Sequence, residues 1–390
     1  MRERIFGLPR NIFMLGLTSF FNDFSSEMIY SIFPAFFTSV LKAGAGSLGM
    51  VDGIAEAASN FFKIYSGHLS DRWERRKPLV VTGYALSVMT RPFYMAIATV
   101  GGALGLRFVD RVGKGLRNTP RDAILSLSSP PEELGRSFGY HRAMDTMGAI
   151  LGPLAAYFIL LYFPLRFDMV FLTSFFIGLI AIGTLFFVSD ITTAFKSKKM
   201  NLSMPASFSA QFKLLLFSIF VLSAGSLPVA VILLKTQSIG LIIATIPLFY
   251  MVYNISYAVC SPYAGIVSDR IGPRRVIIAG YAVLMMSYLA FNVAQDATTL
   301  STGFLLLGLF PALTDGVQRA FVSRLTSEEV RGIGLGWLNA ATGLGALVAG
   351  IAGGFIWQLY SPTVAFLAAA FVTIVGLGFF LAATRSTSVQ

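Results

Sequence analysis

Two short polar segments of this chain repeat the same pattern, roughly half a chain apart. Residues 67–77 read Gly-His-Leu-Ser-Asp-Arg-Trp-Glu-Arg-Arg-Lys, and residues 265–275 read Gly-Ile-Val-Ser-Asp-Arg-Ile-Gly-Pro-Arg-Arg. Each segment has a glycine, then an Asp-Arg pair, then two adjacent basic residues, and each lies between two long apolar runs. A unit that occurs twice predicts a fold of two similar halves.

The composition excludes a soluble protein. Of 390 residues, 55% are hydrophobic and only 13% are charged, so a soluble domain of this size could not cover its surface with polar side chains. The net charge of +11 is compatible with nucleic-acid binding, but the basic residues lie in short loops between apolar runs and not along one polar face. We therefore expect most of the chain to face lipid, and we expect no nucleic-acid partner.

Cutting the chain at its polar loops gives twelve apolar segments. Each has about the 20 residues that a helix needs to cross a hydrocarbon core of about 30 Å. Membrane-spanning strands would appear as alternating segments of roughly 10 residues, and none is present. The sequence predicts an all-α integral membrane protein with twelve transmembrane helices in two pseudosymmetric six-helix bundles. The predicted spans are 11–39, 47–68, 78–99, 101–125, 137–162, 166–189, 211–235, 239–264, 275–294, 298–322, 333–357 and 362–384.

The basic residues predict the orientation of these spans. The segment before span 1 and the loops after spans 2, 4 and 6 are rich in Arg and Lys, whereas the loops on the other side carry few. The positive-inside rule therefore predicts that both termini are cytoplasmic. We expect a multi-pass protein of the plasma membrane, which is the inner membrane in a bacterium. A cleaved signal peptide over Met1 to Phe21 is the competing interpretation, but no small-residue cleavage site follows it.

The longest polar stretch follows span 6 and divides the chain. We predict an N-terminal six-helix bundle over 1–189, a cytoplasmic linker over 190–210 and a C-terminal six-helix bundle over 211–390. A second repeated pattern supports this division, because the same Arg-Gly-Gly spacing begins span 5 and span 11. Its residues are Arg136, Gly139 and Gly148 in the first half and Arg331, Gly334 and Gly343 in the second. Parallel repeats of this kind predict a substrate site between the halves.

The repeated loop pattern resembles a motif of the major facilitator superfamily, and with twelve spans the resemblance covers essentially the whole chain. The resemblance implies a transporter. The family motif has a glycine at its eighth position, which Gly272 supplies in the second copy, whereas Glu74 stands there in the first.

The chemistry of the two loops predicts a gate. The glycine that opens each copy lacks a Cβ and is expected to let two helices approach closely. The aspartate is expected to contact backbone N–H groups or an arginine, through contacts weak enough to break as the halves rock. A turn that only carries positive-inside arginines is the alternative. The predicted gating residues of the loops are Gly67, Asp71, Arg72, Arg76, Gly265, Asp269, Arg270 and Arg274.

Span 5 carries a second pattern, from Gly139 through Gly148 and Gly152 to Pro153. It resembles the span-5 motif of proton-coupled antiporters of the superfamily, although Ala156 and the residue after it replace the closing pair of glycines. The two glycines four residues apart are expected to form a flat face for close helix packing, and Pro153 is expected to loosen the backbone beyond it. We add these three residues, Gly148, Gly152 and Pro153, to the predicted gate. An ordinary small-residue packing face is the alternative.

Span 4 is the least apolar span, because charged residues recur along it every three or four positions. A charge in the bilayer centre is costly, so we expect its first charges to line a water-filled cavity. We assign Arg117 and Arg121, near its end, to a basic segment at the membrane surface. Carboxylates of spans 1 and 5 complete the predicted substrate and proton site, which consists of Asp23, Glu27, Arg107, Asp110, Arg111, His141, Arg142 and Asp145.

This site predicts a mechanism of proton coupling. We expect Asp23 or Asp145 to pair with Arg107, Arg111 or Arg142 and to exchange that partner for a proton. A permanent lattice of ion pairs is the alternative. The function predicted first is the proton-coupled export of a small organic solute by alternating access. A symporter or exchanger of an organic anion is the second hypothesis, and a membrane sensor that transports nothing is the third. We expect no enzymatic activity, no metal and no cofactor. We also expect the protein to be a monomer.

Overall fold

The computed structural model describes residues 4–73, 75–191, 208–327 and 330–385, without the side chains of residues 71–73. The described residues form fifteen α-helices, a few short helical turns and a two-stranded hairpin. The α-helices are α1 (Arg10–Ser39), α2 (Ala45–Trp73), α3 (Lys77–Thr90), α4 (Val100–Ser128), α5 (Leu134–Tyr162), α6 (Phe167–Leu185), α7 (Ala210–Ala224), α8 (Val229–Leu233), α9 (Lys235–Ser238), α10 (Ile246–Ile271), α11 (Pro273–Val293), α12 (Ala297–Leu325), α13 (Arg331–Val348), α14 (Gly354–Leu359) and α15 (Pro362–Ala383).

Eight helical segments of the described chain are long and apolar enough to cross a membrane by length and composition alone. They coincide with predicted spans five to twelve. The first four predicted spans correspond to α1, α2, α3 with the short helix after it, and α4. The protein is a multi-pass helical membrane protein, and its first four spans contain half of the buried polar side chains of the described residues.

Two predicted spans contain breaks that hydropathy does not indicate. The third span is α3 followed by a 3₁₀ turn over Pro92–Ala96, and the seventh is α7 followed by α8. Each continuation starts at or just after a proline, Pro92 or Pro228, whose missing N–H cannot extend the preceding helix. The eighth span begins at Ile246, later than predicted, because the chain first turns at Gly240, which has a φ of +74°.

Contacts divide the chain into two compact units. The first comprises Met1–Leu41, Ala58–Met200 and Ile243–Leu248, and the second comprises Lys42–Ala57, Asn201–Ile242 and Phe249–Gln390. Most of the polar stretch predicted as the linker lies outside the described residues. Only the two ends of this stretch are described. The predicted division into 1–189, 190–210 and 211–390 stays a prediction.

In the first unit, α1 packs against α5 and α6, and α3 packs against α4. The flat face expected on α5 is confirmed as a packing feature. An added Cβ on Gly148 would lie 2.4 Å from the carbonyl oxygen of Phe20, and one on Gly152 would lie 2.4 Å from that of Phe24. The two helices are therefore in contact backbone to backbone, next to Asp23 on α1.

An N-terminal hairpin that the sequence did not indicate closes one end of this unit. Arg4–Ile5 pairs with Leu8–Pro9, and Arg4 forms a 3.0 Å ion pair with Glu133. The hairpin adds Leu8 to a buried apolar cluster at the ends of α1, α3, α4 and α6. The other buried members of that cluster are Ile12, Leu15, Val80, Tyr84, Ile124, Leu125, Leu185 and Val188.

In the second unit, α7 packs against α13 and α15, and α11 packs against α12. Buried Tyr288 on α11 closes the break after α7, since its hydroxyl donates to the carbonyl of Gly225 at 2.9 Å and accepts from the N–H of Leu227 at 2.9 Å. The first half of α2 belongs to this unit. An added Cβ on its Gly49 would lie 2.2 Å from the carbonyl oxygen of Gly350, so only glycine fits there.

Candidate functional site

The charged helix α4 is held close to both of its neighbours by glycines. An added Cβ on Gly113 would lie 2.5 Å from the carbonyl oxygen of Gly83 on α3, and one on Gly115 would lie 2.6 Å from that of Ser59 on α2. Ser66 of α2 also donates to the carbonyl of Gly115 at 2.9 Å. This close packing turns the charged side chains of α4 toward the interior of the first unit.

The first charges of α4 form a cluster with aromatic side chains of α1. The guanidinium of Arg107 lies 4.6 Å from the ring centroid of Tyr30 and 3.8 Å from the carboxylate of Asp110, which also lies 4.0 Å from Arg111. Arg107 is only 3% exposed. We predicted a cavity-lining charge here, and the structure places the rings of Tyr30 and Phe33 against Arg107 in cation–π contacts.

The last charges of α4 are buried as well. Arg117 is 4% exposed, lies 4.5 Å from the ring centroid of Tyr84 and donates to Ser87 at 2.7 Å. The side chain of Arg121 is 13% exposed, and it donates to Ser19 of α1 at 3.4 Å. Their assignment to a basic segment at the membrane surface is wrong, because α4 continues to Ser128 and keeps this stripe inside the bundle.

Asp23 lies on α1, beside the crossing with α5. Its carboxylate accepts a 3.0 Å hydrogen bond from the side-chain amide of Asn22. The structure does not form the predicted pairing with Arg107 or Arg111, since both contact Asp110 instead. Arg107 lies 14 positions before Arg121 on α4, which separates them by about 21 Å along the helix axis. The charged groups that act electrostatically on Asp23 include Asp145, Lys114, Arg117, Arg121 and Arg91.

Asp145 lies on α5 and connects that helix to α1. Its carboxylate accepts a short hydrogen bond from the hydroxyl of Ser19 and lies 3.6 Å from Nδ1 of His141. Arg142 is exposed, and the partners that the described structure gives Asp145 are Ser19 and His141. Nε2 of His141 is buried without a hydrogen-bond partner. The remaining predicted carboxylate, Glu27, is half-buried one helical turn after Asp23.

Arg91, which we did not single out from the sequence, is the most buried cation of this unit. It follows the last residue of α3, is 1% exposed and donates to the side chains of Asn22 and Ser25 of α1. The bond to the carbonyl oxygen of Asn22 is 3.1 Å long. A signal existed, because a single arginine inside the apolar segment 78–99 is expensive to place in a membrane and therefore indicates a specific role.

The first copy of the loop motif is partly described. The side chains of Asp71 and Arg72 lie outside the described residues, and an added Cβ on Gly67 would lie 3.1 Å from Thr119 of α4. Asp190 caps the start of α3, because its carboxylate accepts from the backbone N–H of Arg76 at 3.2 Å and of Lys77 at 3.1 Å. A cavity of about 660 Å³ opens beside this cap, and it shares no lining residue with the charged cluster.

The second copy of the motif forms the predicted contact with an arginine, although a different one. Asp269 pairs with Arg324 at 2.7 Å, while Arg270 is exposed and Arg274 is half-buried. Gly272 has a φ of +90°, which explains why the tight turn requires glycine. The close approach expected at Gly265 is absent, since an added Cβ would meet nothing within 4 Å.

The described site thus contains two carboxylates, Asp23 and Asp145, on facing helices. Each is held by a neutral side chain, and neither forms a direct ion pair with an arginine in the described structure. A carboxylate in such a place can exchange a proton, because the cost of its charge depends on the water and the cations around it. The aromatic and arginine cluster around Arg107 supplies apolar contact and positive charge on the same side of α1.

Three comparisons relate the chain to known proteins. The family model of the Major Facilitator Superfamily matches residues 15–223 and 212–389. An uncharacterised MFS-type transporter of Methanocaldococcus jannaschii is 35% identical over 374 residues, which cover 94% of this chain and 93% of that protein. The multidrug resistance protein MdtG of Klebsiella pneumoniae is 23% identical over 339 residues, covering 82% of this chain and 80% of that protein.

Two further similarities are more limited, one in the length that it covers and the other in sequence identity. The tetracycline resistance protein, class B, of Escherichia coli is 28% identical over 170 residues, which cover 39% of this chain and 42% of that protein. The crystal structure of the nucleoside transporter NupG superimposes with a TM-score of 0.79 over 96% of this chain and 99% of that chain. With 15% sequence identity, this last likeness shows a shared fold.

Proposed function

Because the chain belongs to the major facilitator superfamily and is therefore a membrane transporter and not an enzyme, we propose that it exports a small organic solute in exchange for protons. The protein moves the solute across the membrane by alternating access. The observation that carries the proposal is the pair of carboxylates, Asp23 and Asp145, on helices that are in backbone contact through Gly148 and Gly152.

The proposed role of the carboxylates follows from their partners. Ser19 and Asn22 can stay hydrogen-bonded to a carboxyl group whether or not it carries a proton, whereas an arginine would hold it ionised. The nearby cations, Lys114, Arg117 and Arg121, belong to α4. A shift of α4 relative to α1 therefore changes the cost of the charge on Asp23 and allows a proton to bind in one state and to leave in the other.

The direction of transport is proposed from the relatives. A multidrug resistance protein and a tetracycline resistance protein are both similar to this chain over part or most of its length. We infer that this chain likewise removes an organic solute from the cell. We further propose that it does so as a single chain in the plasma membrane, with cytoplasmic termini and with two halves, 1–189 and 211–390.

Transport in inside-out membrane vesicles tests the proposal. The vesicles are acidified by ATP, and three probes are offered: tetracycline, the cation ethidium and the anion carboxyfluorescein. We expect accumulation of at least one probe, collapse of that accumulation by a protonophore, and its loss in both Asp23→Asn and Asp145→Asn. Asp296→Asn is the matched control, because Asp296 is an exposed helix cap and Asn caps a helix as well.

Each other outcome identifies a different function. Probe flux that ignores the pH gradient contradicts proton antiport. Efflux of preloaded carboxyfluorescein from the acidified lumen, driven by the pH gradient and lost in Arg107→Ala, would favour a symporter of organic anions. The absence of any flux across a broad probe panel, with binding retained, would favour a sensor.

A further inference from the structure

Arg91 is a buried cation whose hydrogen-bond partners in the described structure are all neutral. Its guanidinium donates to Asn22 Oδ1 at 3.1 Å, to the hydroxyl of Ser25 and to the backbone carbonyl of Ser174 on α6 at 3.5 Å. Asn22, Ser25 and Ser174 are themselves at most 1% exposed. A buried charge costs free energy, and apolar side chains could fill the same space without that cost. The presence of Arg91 therefore indicates a specific role for its hydrogen bonds.

The contact with Asn22 connects this buried cation to Asp23. The oxygen of the Asn22 amide accepts from Arg91, and the nitrogen of the same amide donates to Asp23 Oδ1 at 3.0 Å. A rotated amide would place its NH₂ group against the donor groups of Arg91 and its oxygen against the carboxylate of Asp23. Both contacts would then be repulsive, so Arg91 determines which end of the amide Asp23 meets.

The space around Arg91 leaves no room for another arrangement. An added Cβ on Gly178 of α6 would lie 2.0 Å from Nη1 of Arg91. Ser25 and Ser174 are hydrogen-bonded to each other across α1 and α6 at 2.8 Å between their hydroxyl oxygens. The guanidinium is therefore confined to one position, between the end of α3 and the two helices.

We propose that Arg91 is a positioning residue for the proton-exchanging carboxylate: through the amide of Asn22 it presents a fixed N–H donor to Asp23 and so determines the pH range in which Asp23 exchanges its proton. This inference rests on the proposed role of Asp23. Arg91 also acts on Asp23 directly through its charge. The other charged neighbours of Asp23 are Asp145 on α5, three cations of α4, and Glu27 on its own helix.

A purely structural arginine would behave differently. It would hold α1, α3 and α6 together, and its replacement by a lysine of the same charge would lower thermal stability without changing the protonation of Asp23. A positioning residue acts through Asn22, so removal of either residue should have the same effect on Asp23, and removal of both should add little.

Infrared titration of the full-length protein in lipid nanodiscs separates the two roles and needs no substrate. The protonated-carboxyl band of Asp23 is identified by its loss in Asp23→Asn. We expect the pH at which half of this band remains to rise by about one pH unit in Asn22→Ala, because a hydrogen bond to the ionised carboxylate is lost. Arg91→Gln should give a rise of similar size, and the double variant should not exceed the larger single effect by more than a few tenths of a unit.

The control is Thr18→Val, which removes another buried hydrogen bond between α1 and α6, the 2.7 Å contact of Thr18 with Thr184, and leaves Arg91 and Asn22 intact. It should lower thermal stability and leave the titration of Asp23 unchanged. If Arg91→Gln does not fold, Arg91→Lys keeps the charge but cannot reach Asn22 and Ser25 together, and it should still raise the midpoint. An unchanged midpoint in the Arg91 variants, or additive shifts in the double variant, would overturn the inference.

The vesicle assay distinguishes this failure from failure of the proposed function. If Asp23→Asn still accumulates the probe, Asp23 is not the proton carrier and the proposed function fails. If Asp23→Asn abolishes accumulation while the Arg91 and Asn22 variants titrate like the wild type, only the positioning role fails.

Discussion

At the scale of single residues, aromatic and neutral side chains contact three of the buried arginines of the first unit. Arg107 lies against Tyr30, Arg117 against Tyr84, and Arg91 against an amide and two serines. Cation–π contacts and multiple hydrogen bonds lower the cost of a buried guanidinium without neutralising it. The positive charge of α4 therefore remains available to act on Asp23 from a distance.

The ring of Tyr84 should matter for stability and its hydroxyl should not. The hydroxyl is buried without a hydrogen-bond partner, whereas the ring covers the guanidinium of Arg117. We expect Tyr84→Leu to destabilise the protein by about 2 kcal/mol, because it leaves a desolvated cation without its ring. Thermal unfolding in detergent measures the effect. Tyr84→Phe is the matched control, and a loss as large as that of Tyr84→Leu would show that the hydroxyl is the important group.

At the scale of elements, glycines determine which helices touch. Gly148 and Gly152 allow contact of α5 with α1, and Gly113 allows contact of α4 with α3. Gly139, on the same helix α5, has no such role, since an added Cβ there would meet nothing within 4 Å. Close packing is therefore a property of the face that a glycine occupies, and not of glycine content.

This difference predicts opposite outcomes for two substitutions on one helix. Gly152→Ala places a methyl group 2.4 Å from a backbone oxygen of α1, so the helices must separate, at a cost of about 1–3 kcal/mol. Gly139→Ala should be neutral or slightly stabilising, because alanine favours the helix. Thermal unfolding of both variants checks this, and equal stability of the two would contradict the contact between α1 and α5.

The start of α12 should respond to acid. Asp296 precedes the helix, and the backbone N–H of Thr299, which donates to its carboxylate at 2.8 Å, holds the pKa of Asp296 below its usual range. The folded state therefore prefers the ionised form, and this stabilisation is complete above the unfolded pKa of about 3.9. It is lost as the pH falls through the lower, folded pKa.

Unfolding temperatures of the wild type and Asp296→Asn between neutral and acidic pH measure this contribution. The Asn variant keeps a cap that does not titrate, so it should lose less stability than the wild type at the acidic end. Identical acid sensitivity of the two proteins would show that Asp296 makes no contribution through its charge.

At the scale of the whole molecule, the chain repeats its loops but not its buried charges. Asp269 with Arg324 and the turn at Gly272 belong to the second copy of the loop motif. The described residues of the second unit contain instead neutral buried pairs, such as Gln318 with the hydroxyl of Tyr281 at 3.0 Å. The buried arginines of the described residues, Arg76, Arg91, Arg107 and Arg117, all lie in the first unit, as does the proposed proton site.

The sequence by itself determined the helical membrane class, the number and order of the spans, the family and the glycine face of α5. These follow from hydropathy, segment length and spacing, which are local properties of a chain. It also identified Asp23 and Asp145 as intramembrane carboxylates, because a charge in an apolar segment is visible without a structure.

Only the tertiary structure decided which side chains these carboxylates meet. Asp145 meets Ser19 from 126 positions earlier, and Arg91 meets Asn22 across 69 positions. In the structure, Arg117 and Arg121 lie inside the bundle and not at the expected membrane surface. Arg107 pairs with Asp110 and not with Asp23. The reason is physical. Which partner a side chain meets on another helix depends on where the two backbones cross and on which face each helix turns inward. The spacing of residues along one helix gives no information about either.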